Sequence, residues 1–240
     1  MTVRPLMLSL AIAATLAAGC TQQATPAQSD AGKLRTLGSL QFKPCSLASP
    51  LPQGEPLEAQ CTTLDVPEDR RKPGGRTIAL NIAWIPPRNT SDPASDPVFF
   101  LAGGPGQAAV ATFPALAPVF KDVMKDRGVV LVDQRGTGKS NPLNCKSEGD
   151  AENSSDPAVA RAWIERCITE LSAKADLRRY TSTDAVADLD AVRKAIGADK
   201  INLIGVSYGT RMAQQYALRH PQHVRTVTLD SPVPNTLGLG

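Results

Sequence analysis

A serine held between two glycines, in Gly205-Val206-Ser207-Tyr208-Gly209, constrains the fold of this chain more than any other feature. Residues 200–204, before it, are mostly apolar and predict a short buried strand, and residues 210–219, after it, predict a helix. A serine on a sharp strand-to-helix turn points its hydroxyl away from the sheet, and the glycines beside it let neighbouring backbone approach closely. The pattern alone is short enough to arise by chance, so its weight comes from this placement. We therefore expect Ser207 to lie on a tight turn at one edge of a sheet.

Short apolar segments alternate with helical segments along the chain. This alternation predicts a parallel sheet with helices on both faces, because continuous apolar segments are typical of strands that are buried on both sides. The predicted strands are residues 98–101, 129–132, 201–206 and 224–229, and helices are predicted at 156–171 and 183–196. Residues 61–66 and the alternating segment 76–85 predict antiparallel strands nearer the N-terminus, since Lys72-Pro73-Gly74-Gly75 between them is typical of a hairpin. The fold class is therefore α/β: a mostly parallel sheet with antiparallel N-terminal strands and helices on both faces.

The N-terminus has the features of an export signal. Arg4 precedes apolar residues 6–18, a segment too short for a permanent membrane-spanning helix. The segment ends in Leu16-Ala17-Ala18-Gly19-Cys20, which resembles a bacterial lipoprotein signal, in which the cysteine is lipidated and becomes the new N-terminus. Ala17 stands where leucine is commoner, so ordinary cleavage near Ala18, with secretion, is the alternative. We expect residues 1–20 to be the signal and Cys20 to carry a membrane anchor, in a periplasmic or outer-membrane lipoprotein.

Residues 21–39 are expected to form a flexible tether, and residues 40–240 the folded domain. The tether prediction rests on residues 21–33, which are polar and contain almost no large apolar side chain. Export places the four cysteines after Cys20 in an oxidising compartment, where they allow three pairings. The pairs Cys45–Cys61 and Cys145–Cys167 are favoured because each closes a short local loop. No cysteine has a C-x-x-C partner, and we expect neither a metal nor a cofactor.

The charge pattern argues against nucleic acid and nucleotide partners. The net charge is +3, and no basic run is interleaved with aromatic residues, so we expect no nucleic-acid binding. The segment Asp133-Gln134-Arg135-Gly136-Thr137-Gly138-Lys139-Ser140 ends like a phosphate-binding loop. However, that loop requires glycine where Asp133 stands, and Asn141-Pro142 interrupts the helix that would have to follow. We therefore expect no P-loop.

A serine hydroxyl needs a base to remove its proton and hydrogen-bond donors to stabilise the oxyanion that forms when it attacks a carbonyl. The backbone N–H of Tyr208 is the first expected donor, because it immediately follows the serine. The second is expected from Gly103-Gly104-Pro105-Gly106, which follows the predicted strand 98–101. Gly104 is favoured over Gly103 as this donor.

Three motifs occur in order: Leu101-Ala102-Gly103-Gly104-Pro105-Gly106, the segment 133–140, and Gly205-Val206-Ser207-Tyr208-Gly209-Thr210. Together they resemble the proline iminopeptidase and tripeptidyl aminopeptidase group of exported α/β-hydrolases, over about residues 61–230. The resemblance implies an α/β-hydrolase fold, a nucleophile at Ser207, short peptides with a free N-terminus as substrates, and a scaffold or substrate-side role for Asp133 and Arg135. Ala102, where the narrower iminopeptidases carry histidine, favours the tripeptidyl-peptidase branch. An esterase on the same scaffold and a catalytically inactive lipoprotein are the alternatives.

The α/β-hydrolase order of catalytic residues is serine, then an acid, then histidine. After Ser207 the sequence contains only Asp230, His220 and His223 as candidates. Both histidines follow the predicted helix closely and are expected to lie at its end, where His220 would interact with the last carbonyls. Asp230 is expected to be structural, because no histidine follows it. We therefore expect the catalytic acid and base to lie beyond residue 240, the chain to be the N-terminal part of the domain, and Ser207 to have little activity without them.

Overall fold

The computed structural model describes residues 34–72, 74–91, 95–146 and 149–236. The predicted signal, Cys20 and most of the predicted tether lie outside this part of the chain. Eight strands lie within it: β1 (Arg35–Leu37), β2 (Leu40–Leu47), β3 (Leu57–Pro67), β4 (Thr77–Ile85), β5 (Val98–Leu101), β6 (Val129–Val132), β7 (Ile201–Val206) and β8 (Val224–Asp230). They form one sheet in the order β1-β2-β3-β4-β6-β5-β7-β8.

The sheet is mixed, with an antiparallel and a parallel half. Strands β1 to β4 pair antiparallel with one another, and β4 pairs antiparallel with β6. Strands β6, β5, β7 and β8 are parallel neighbours. The predicted α/β-hydrolase fold class is confirmed, and the antiparallel part has four strands where the sequence predicted two.

Five α-helices lie among the described residues: α1 (Ala109–Leu116), α2 (Val123–Asp126), α3 (Pro157–Ser172), α4 (Ser182–Ala195) and α5 (Tyr208–Arg219). Side-chain caps start two of them, because Asp156 accepts from the N–H of Ala158 in α3 and Thr181 accepts from the N–H of Asp184 in α4. Gly197, with φ +73°, follows the end of α4. Each cap fixes the boundary of its helix.

Two apolar layers cover the two faces of the sheet. Helices α4 and α5 pack on one face, where Val186, Leu189, Val192 and Met212 are each at most 1% exposed. Helix α1 packs on the other face, where Phe113 contacts Phe100 of β5 with ring centroids 5.3 Å apart. Strands β5 and β6 lie between these layers and are buried along their whole length, as their continuous apolar sequences predicted.

Strand β1 and helix α3 differ from the sequence predictions. Strand β1 lies inside residues 21–39, which the sequence assigned to the tether, because a turn at Gly38 (φ +60°) folds it back onto β2. Helix α3 forms where its amphipathic pattern predicted a helix, but it buries only Leu171. The other large apolar side chains of its pattern are partly or well exposed: Val159, Trp163, Ile164 and Ile168.

Both favoured cysteine pairs are joined in the structure. Cys45 and Cys61, with Cα atoms 5.8 Å apart, connect the neighbouring strands β2 and β3. Cys145 and Cys167, with Cα atoms 5.4 Å apart, connect the loop after β6 to helix α3. The second pair links a helix with little buried surface to the rest of the domain.

Candidate active site

Ser207 forms the turn between β7 and α5, at the carboxyl end of the parallel strands. Its backbone has φ 53° and ψ −120°, a conformation that costs free energy for a residue with a side chain. Three hydrogen bonds hold the turn. The Ser207 N–H donates to the Asp230 carbonyl at 2.9 Å, and the N–H and hydroxyl of Thr210 donate to the Ser207 carbonyl at 2.9 and 2.6 Å.

The two glycines of the motif are required by close backbone contacts. A Cβ on Gly205 would lie 2.4 Å from the Gly209 carbonyl oxygen, and a Cβ on Gly209 would lie 2.0 Å from the Leu101 carbonyl oxygen. Both distances are far below van der Waals contact, and backbone atoms cannot move aside as a flexible side chain would. Only glycine therefore lets the first turn of α5 pack directly against β7 and β5.

The glycine-rich loop after β5 lies beside this turn. The Cβ that Gly103 lacks would sit 3.2 Å from both Ser207 Cβ and Gln107 Oε1. Gly104 follows with φ +103°, and it is exposed. Within the described residues, neither the N–H of Gly104 nor that of Tyr208 has a hydrogen-bond acceptor. These two N–H groups are therefore available for a ligand at the Ser207 turn.

The Ser207 hydroxyl has no hydrogen-bond partner among the residues that the structure describes. His220 and His223 lie at the far end of α5, a helix of 12 residues that is about 18 Å long. The His220 ring packs against Tyr216, with centroids 4.9 Å apart, and the His223 ring bonds to the Asp199 carbonyl at 2.9 Å. Neither ring therefore reaches Ser207.

The sequence predicted that the His220 side chain contacts the last helix carbonyls, but the structure shows a different neighbour. It turns towards Asp190, with 4.0 Å between Nδ1 and Oδ2. Burial lowers the pKa of His220, and Asp190 opposes that shift. Burial also disfavours the charge on Asp190, but hydrogen bonds from Lys194, Arg193 and Tyr216 outweigh it and hold the pKa of Asp190 well below its usual range.

Among the residues that the structure describes, Asp230 is the acidic residue whose backbone bonds to the turn. It pairs with Val206 in the register of β7 and β8, and its carbonyl accepts the Ser207 N–H. Its carboxylate accepts a hydrogen bond from the neighbouring Ser231 hydroxyl at 3.0 Å and is exposed. The backbone of Asp230 therefore supports the turn, in line with the structural role that the sequence suggested.

Asp133 joins the loop after β6 to the glycine-rich loop. Its buried carboxylate accepts from the N–H of Val110 at 3.0 Å, in the first turn of α1, and from the N–H of Lys139 at 3.1 Å. The Asn81 amide of β4 donates a third hydrogen bond, at 2.8 Å. Because α1 begins five residues after Gly104, Asp133 fixes the helix that anchors the Gly104 loop.

Arg135 is buried beside the same loop. Its guanidinium donates to both carboxylate oxygens of Asp188 in α4, at 2.6 and 2.7 Å, and to the carbonyls of Glu68 and Arg179 at 3.0 and 2.8 Å. Arg70 donates to the same carboxylate from a more exposed position. Burial opposes the charge of Arg135, but the bond to Asp188 outweighs it and raises the pKa of Arg135. Arg135 therefore ties the loop to α4 rather than facing the Ser207 turn.

The sequence matches proteins of one family. The family described as "alpha/beta hydrolase fold" matches residues 96–239, which include β5, the glycine-rich loop and the Ser207 turn. The chain belongs to the alpha/beta hydrolase fold family. The predicted family is thereby confirmed.

Curated relatives of this α/β-hydrolase chain include named peptidases. Tripeptidyl aminopeptidase of Streptomyces lividans is 32% identical over 196 residues, which cover 74% of this chain and 36% of that protein. Serine protease Hip1 of Mycobacterium bovis is 31% identical over 216 residues, covering 82% of this chain and 40% of that protein. Proline iminopeptidase of Neisseria gonorrhoeae is 29% identical, covering 58% of this chain and 34% of that protein. The chain thus spans roughly a third to two fifths of the length of these relatives.

Two residues that support the site had no signal in the sequence. The Tyr208 and Ser182 hydroxyls lie 2.8 Å apart, so the side chain after Ser207 is fixed to the first turn of α4. Asp188 is 2% exposed and holds Arg135. An acidic residue on a predicted helix is usually solvated, and its burial is explained by arginine partners 53 and 118 residues away in sequence.

Two further properties concern the described residues only. No helix in them is long and apolar enough to cross a bilayer. No three His, Cys, Asp or Glu side chains in them are grouped so as to hold a metal ion.

Proposed function

We propose that Ser207 is the nucleophile of a serine hydrolase that cleaves peptides. The observation that carries the proposal is the strained Ser207 turn, whose φ of 53° is maintained by glycine contacts that no other residue permits. Strain of this kind persists where the surrounding structure enforces it, and it is common at catalytic positions. The motifs around the turn support the same assignment.

In this reaction the Ser207 oxygen attacks the carbonyl carbon of the scissile bond. The carbonyl oxygen becomes an oxyanion, and the N–H groups of Tyr208 and Gly104 donate hydrogen bonds to it. The hydroxyl proton passes to a base and then to the leaving amine, while the acyl group stays on Ser207 until water hydrolyses it. We propose that the base and the acid that orients it come from residues beyond position 240, because His220 and His223 are directed away from Ser207.

The proposed substrates are short peptides with a free N-terminus. The support is the names of the relatives, which include a tripeptidyl aminopeptidase and a proline iminopeptidase. Release of residues from the N-terminus requires that the substrate amine is free. It predicts that blocking the substrate amine abolishes cleavage.

We also propose that the protein is an exported lipoprotein. In this proposal residues 1–20 are the signal, Cys20 carries the lipid, and a tether connects Cys20 to β1. The domain that follows belongs to the periplasm or to the periplasmic face of the outer membrane. The two disulfides support an oxidising compartment.

A fluorophosphonate probe tests the nucleophile. The 240-residue chain is labelled alone and joined to a downstream segment that completes the fold, and the labelled peptide is identified by mass spectrometry. We expect labelling of Ser207 in the joined form and none in its Ser207→Ala variant. Ser231→Ala is the matched control, since Ser231 is a nearby exposed serine that also has positive φ, at 55°. Absence of labelling in both forms contradicts the hydrolase proposal.

Substrates then separate the peptidase from an esterase. We expect the joined form, before any probe is added, to cleave tripeptide amides with a free N-terminus and to leave the N-acetylated amides intact. Cleavage of simple esters without any amide cleavage would support the esterase alternative. Equal cleavage of free and acetylated peptides would retain the hydrolase and refute the exopeptidase assignment.

A further inference from the structure

Gln107 is the residue of the glycine-rich loop whose side chain can form hydrogen bonds. Residues 103–107 are Gly-Gly-Pro-Gly-Gln, and the next four residues are alanine or valine. The Gln107 side chain is exposed, and its carboxamide has no hydrogen-bond partner within the part of the chain that the structure describes. The loop therefore offers a polar side-chain group in addition to the Gly104 N–H.

Gln107 lies across a narrow space from Ser207. The point that a Cβ on Gly103 would occupy is 3.2 Å from Gln107 Oε1, 3.2 Å from Ser207 Cβ and 3.2 Å from the Val206 carbonyl oxygen. Each of these distances is shorter than ordinary van der Waals contact, so the space between the carboxamide and Ser207 is no wider than a methyl group. Glycine at position 103 therefore lets the carboxamide approach the Ser207 turn.

The backbone of Gln107 is held on both sides. Its N–H donates to the Gly103 carbonyl at 3.4 Å, so the loop curls back on its own first residue. Gly104 allows this curl, because a Cβ there would lie 3.0 Å from the Gln107 nitrogen. On the other side, the Ala108 Cβ packs against the loop after β6, 2.8 Å from the point that a Cβ on Gly138 would take. The fold thus sets the position of Gln107, and its side chain remains able to rotate.

Either end of the Gln107 carboxamide can face the Ser207 turn. The oxygen and the NH₂ group have nearly the same size, and a half-turn about the last side-chain bond exchanges them. The Val206 carbonyl oxygen borders the space between Gln107 and Ser207, which favours the NH₂ end there. When Ser207 attacks a carbonyl, negative charge develops on an oxygen beside Ser207 and Gly104, the two residues that Gln107 borders. That charge favours the NH₂ end still more, and an NH₂ group has two N–H donors to share between the two oxygens.

We propose that the Gln107 carboxamide donates a third hydrogen bond to the oxyanion formed at Ser207, beside those from the N–H groups of Tyr208 and Gly104. Side-chain amides of Asn and Gln act in this way in oxyanion holes. The bond strengthens as the carbonyl oxygen becomes charged, so it stabilises the transition state more than the bound substrate. This inference rests on the proposed nucleophilic role of Ser207. It adds a donor that a substitution can remove, whereas the other two donors belong to the backbone.

The rate of phosphonylation tests the proposal without a known substrate. When a fluorophosphonate reacts, the Ser207 oxygen bonds to phosphorus, fluoride leaves, the hydroxyl proton passes to the base, and the phosphoryl oxygen gains negative charge in the oxyanion position. In the joined form of the chain, we expect Gln107→Met to lower the rate constant for labelling of Ser207 on the order of 100-fold. Methionine keeps the length of the side chain but donates no hydrogen bond.

Two charge variants accompany this measurement. Gln107→Glu should slow the labelling of Ser207 further than Gln107→Met, because a carboxylate repels the oxyanion. Gln53→Glu is the matched control, since Gln53 is an exposed glutamine in the connection between β2 and β3. It makes the same charge change away from the Ser207 turn and should keep the wild-type rate. Wild-type rates in both Gln107 variants overturn the proposal.

Steady-state kinetics separate transition-state stabilisation from substrate binding. With an amide or ester that the joined form cleaves, we expect Gln107→Met to lower kcat and kcat/KM by the same factor and to leave KM unchanged. A higher KM with unchanged kcat overturns the proposal, because it assigns Gln107 to binding of the substrate before the reaction.

The outcomes distinguish this proposal from the proposed function and from an effect on folding. The Gln107 side chain is exposed, so the urea midpoint of Gln107→Met should equal that of the wild type. Labelling of Ser207 at one rate in the wild type and in both Gln107 variants retains the nucleophile and refutes only the role of Gln107. Absence of labelling in the wild-type joined form overturns both proposals.

Discussion

At the scale of single residues, Gly209 holds the Ser207 turn together through a contact that no side chain permits. We predict that Gly209→Ala lowers the free energy of unfolding by about 3 kcal/mol, because the added methyl would overlap the Leu101 carbonyl at 2.0 Å. Helix propensity alone predicts the opposite sign, a gain of about 1 kcal/mol. Urea unfolding followed by circular dichroism measures the difference.

A glycine without close neighbours is the control for Gly209. Gly74 has φ +77° and no heavy atom within 4 Å of the position that a Cβ would take, so Gly74→Ala tests backbone strain without overlap. We expect a loss of about 1 kcal/mol there. Equal losses of unfolding free energy in the two variants would mean that overlap with the Leu101 carbonyl does not explain the effect at Gly209.

Arg135 and Asp188 form a buried ion pair that ties the loop after β6 to α4. Arg135→Met leaves the Asp188 carboxylate with Arg70 as its remaining arginine partner, and we predict a loss of about 3–5 kcal/mol. Adding Asp188→Leu should recover part of that loss, because it removes the buried carboxylate that has lost Arg135 and leaves only Arg70, which is 30% exposed, without this partner. A double-mutant cycle in urea measures the coupling, and strictly additive losses would contradict it.

His220 makes the stability of the domain depend on pH. Burial lowers its pKa below the ordinary value of 6.5, so the unfolded chain binds the proton more tightly than the folded one. The stabilisation is therefore complete above the unfolded pKa and is lost as the pH falls from there towards the lower folded value. We predict that His220→Gln flattens the dependence of unfolding free energy on pH between about 7.5 and 5.5. His223→Gln, whose ring bonds to the Asp199 carbonyl, is the comparison variant, and an equal flattening there would refute the assignment.

At the scale of secondary-structure elements, α3 buries fewer side chains than α4 or α5, although it is longer than either. Only Leu171 is buried in its 16 residues, and the Cys145–Cys167 disulfide links it to the loop after β6. We predict that Cys145→Ala with Cys167→Ala increases amide hydrogen exchange throughout α3 while the exchange of β5 and β6 stays slow, because local opening exposes little apolar surface.

The other disulfide provides the contrast. Cys45–Cys61 joins two paired strands of the sheet, so Cys45→Ala with Cys61→Ala should lower the global free energy of unfolding by about 3 kcal/mol. Suppose that Cys145→Ala with Cys167→Ala lowers the global free energy of unfolding and leaves amide hydrogen exchange in α3 unchanged. That result would contradict the view that α3 opens as a local unit.

Local patterns predicted some elements and missed others for physical reasons. Strands β5, β6 and β7 have the predicted bounds. The sequences of β5 and β6 are continuously apolar and buried on both faces, and β7 is mostly apolar and mostly buried. The first two strands have no such pattern, since β1 is three residues long and β2 contains Lys43 and Pro44. Their order comes from pairing and from a contact with distant backbone, such as the Ser39 N–H to the Ala195 carbonyl at 2.7 Å.

The residues of the candidate site form the same two groups: those that local sequence predicted and those that it missed. Ser207, Tyr208 and Gly104 were assigned from sequence because their roles depend on a turn or loop of a few residues. Ser182 and Asp188 were not, because each acts on a residue 26 or more positions away in sequence. Sequence patterns therefore predicted the candidate residues of the Ser207 turn and the Gly104 loop, and the structure was needed to find the side chains that hold these segments in place.

At the scale of the whole molecule, the two outermost strands of the sheet, β1 and β8, have different properties. Strand β1 is a short edge with three paired residues, which limits pairing with another chain. Strand β8 has seven residues, pairs only with β7 within the described part of the chain, and exposes Val227 and Leu229 at 39% and 38%. A long apolar edge of this kind favours strand pairing with a second molecule.

We predict that the purified 240-residue chain associates through β8. Val227→Lys should shift the sedimentation distribution towards the monomer, because a lysine on an edge strand opposes its pairing with the strand of a second copy. Val159→Lys is the matched control, since Val159 is 41% exposed on α3 and lies outside the sheet. The two variants carry the same charge change, so a general effect of net charge would move both distributions equally and would refute association through β8. If the chain is extended by a segment that pairs with β8, the two variants should have the same sedimentation distribution, because the edge of β8 is then covered.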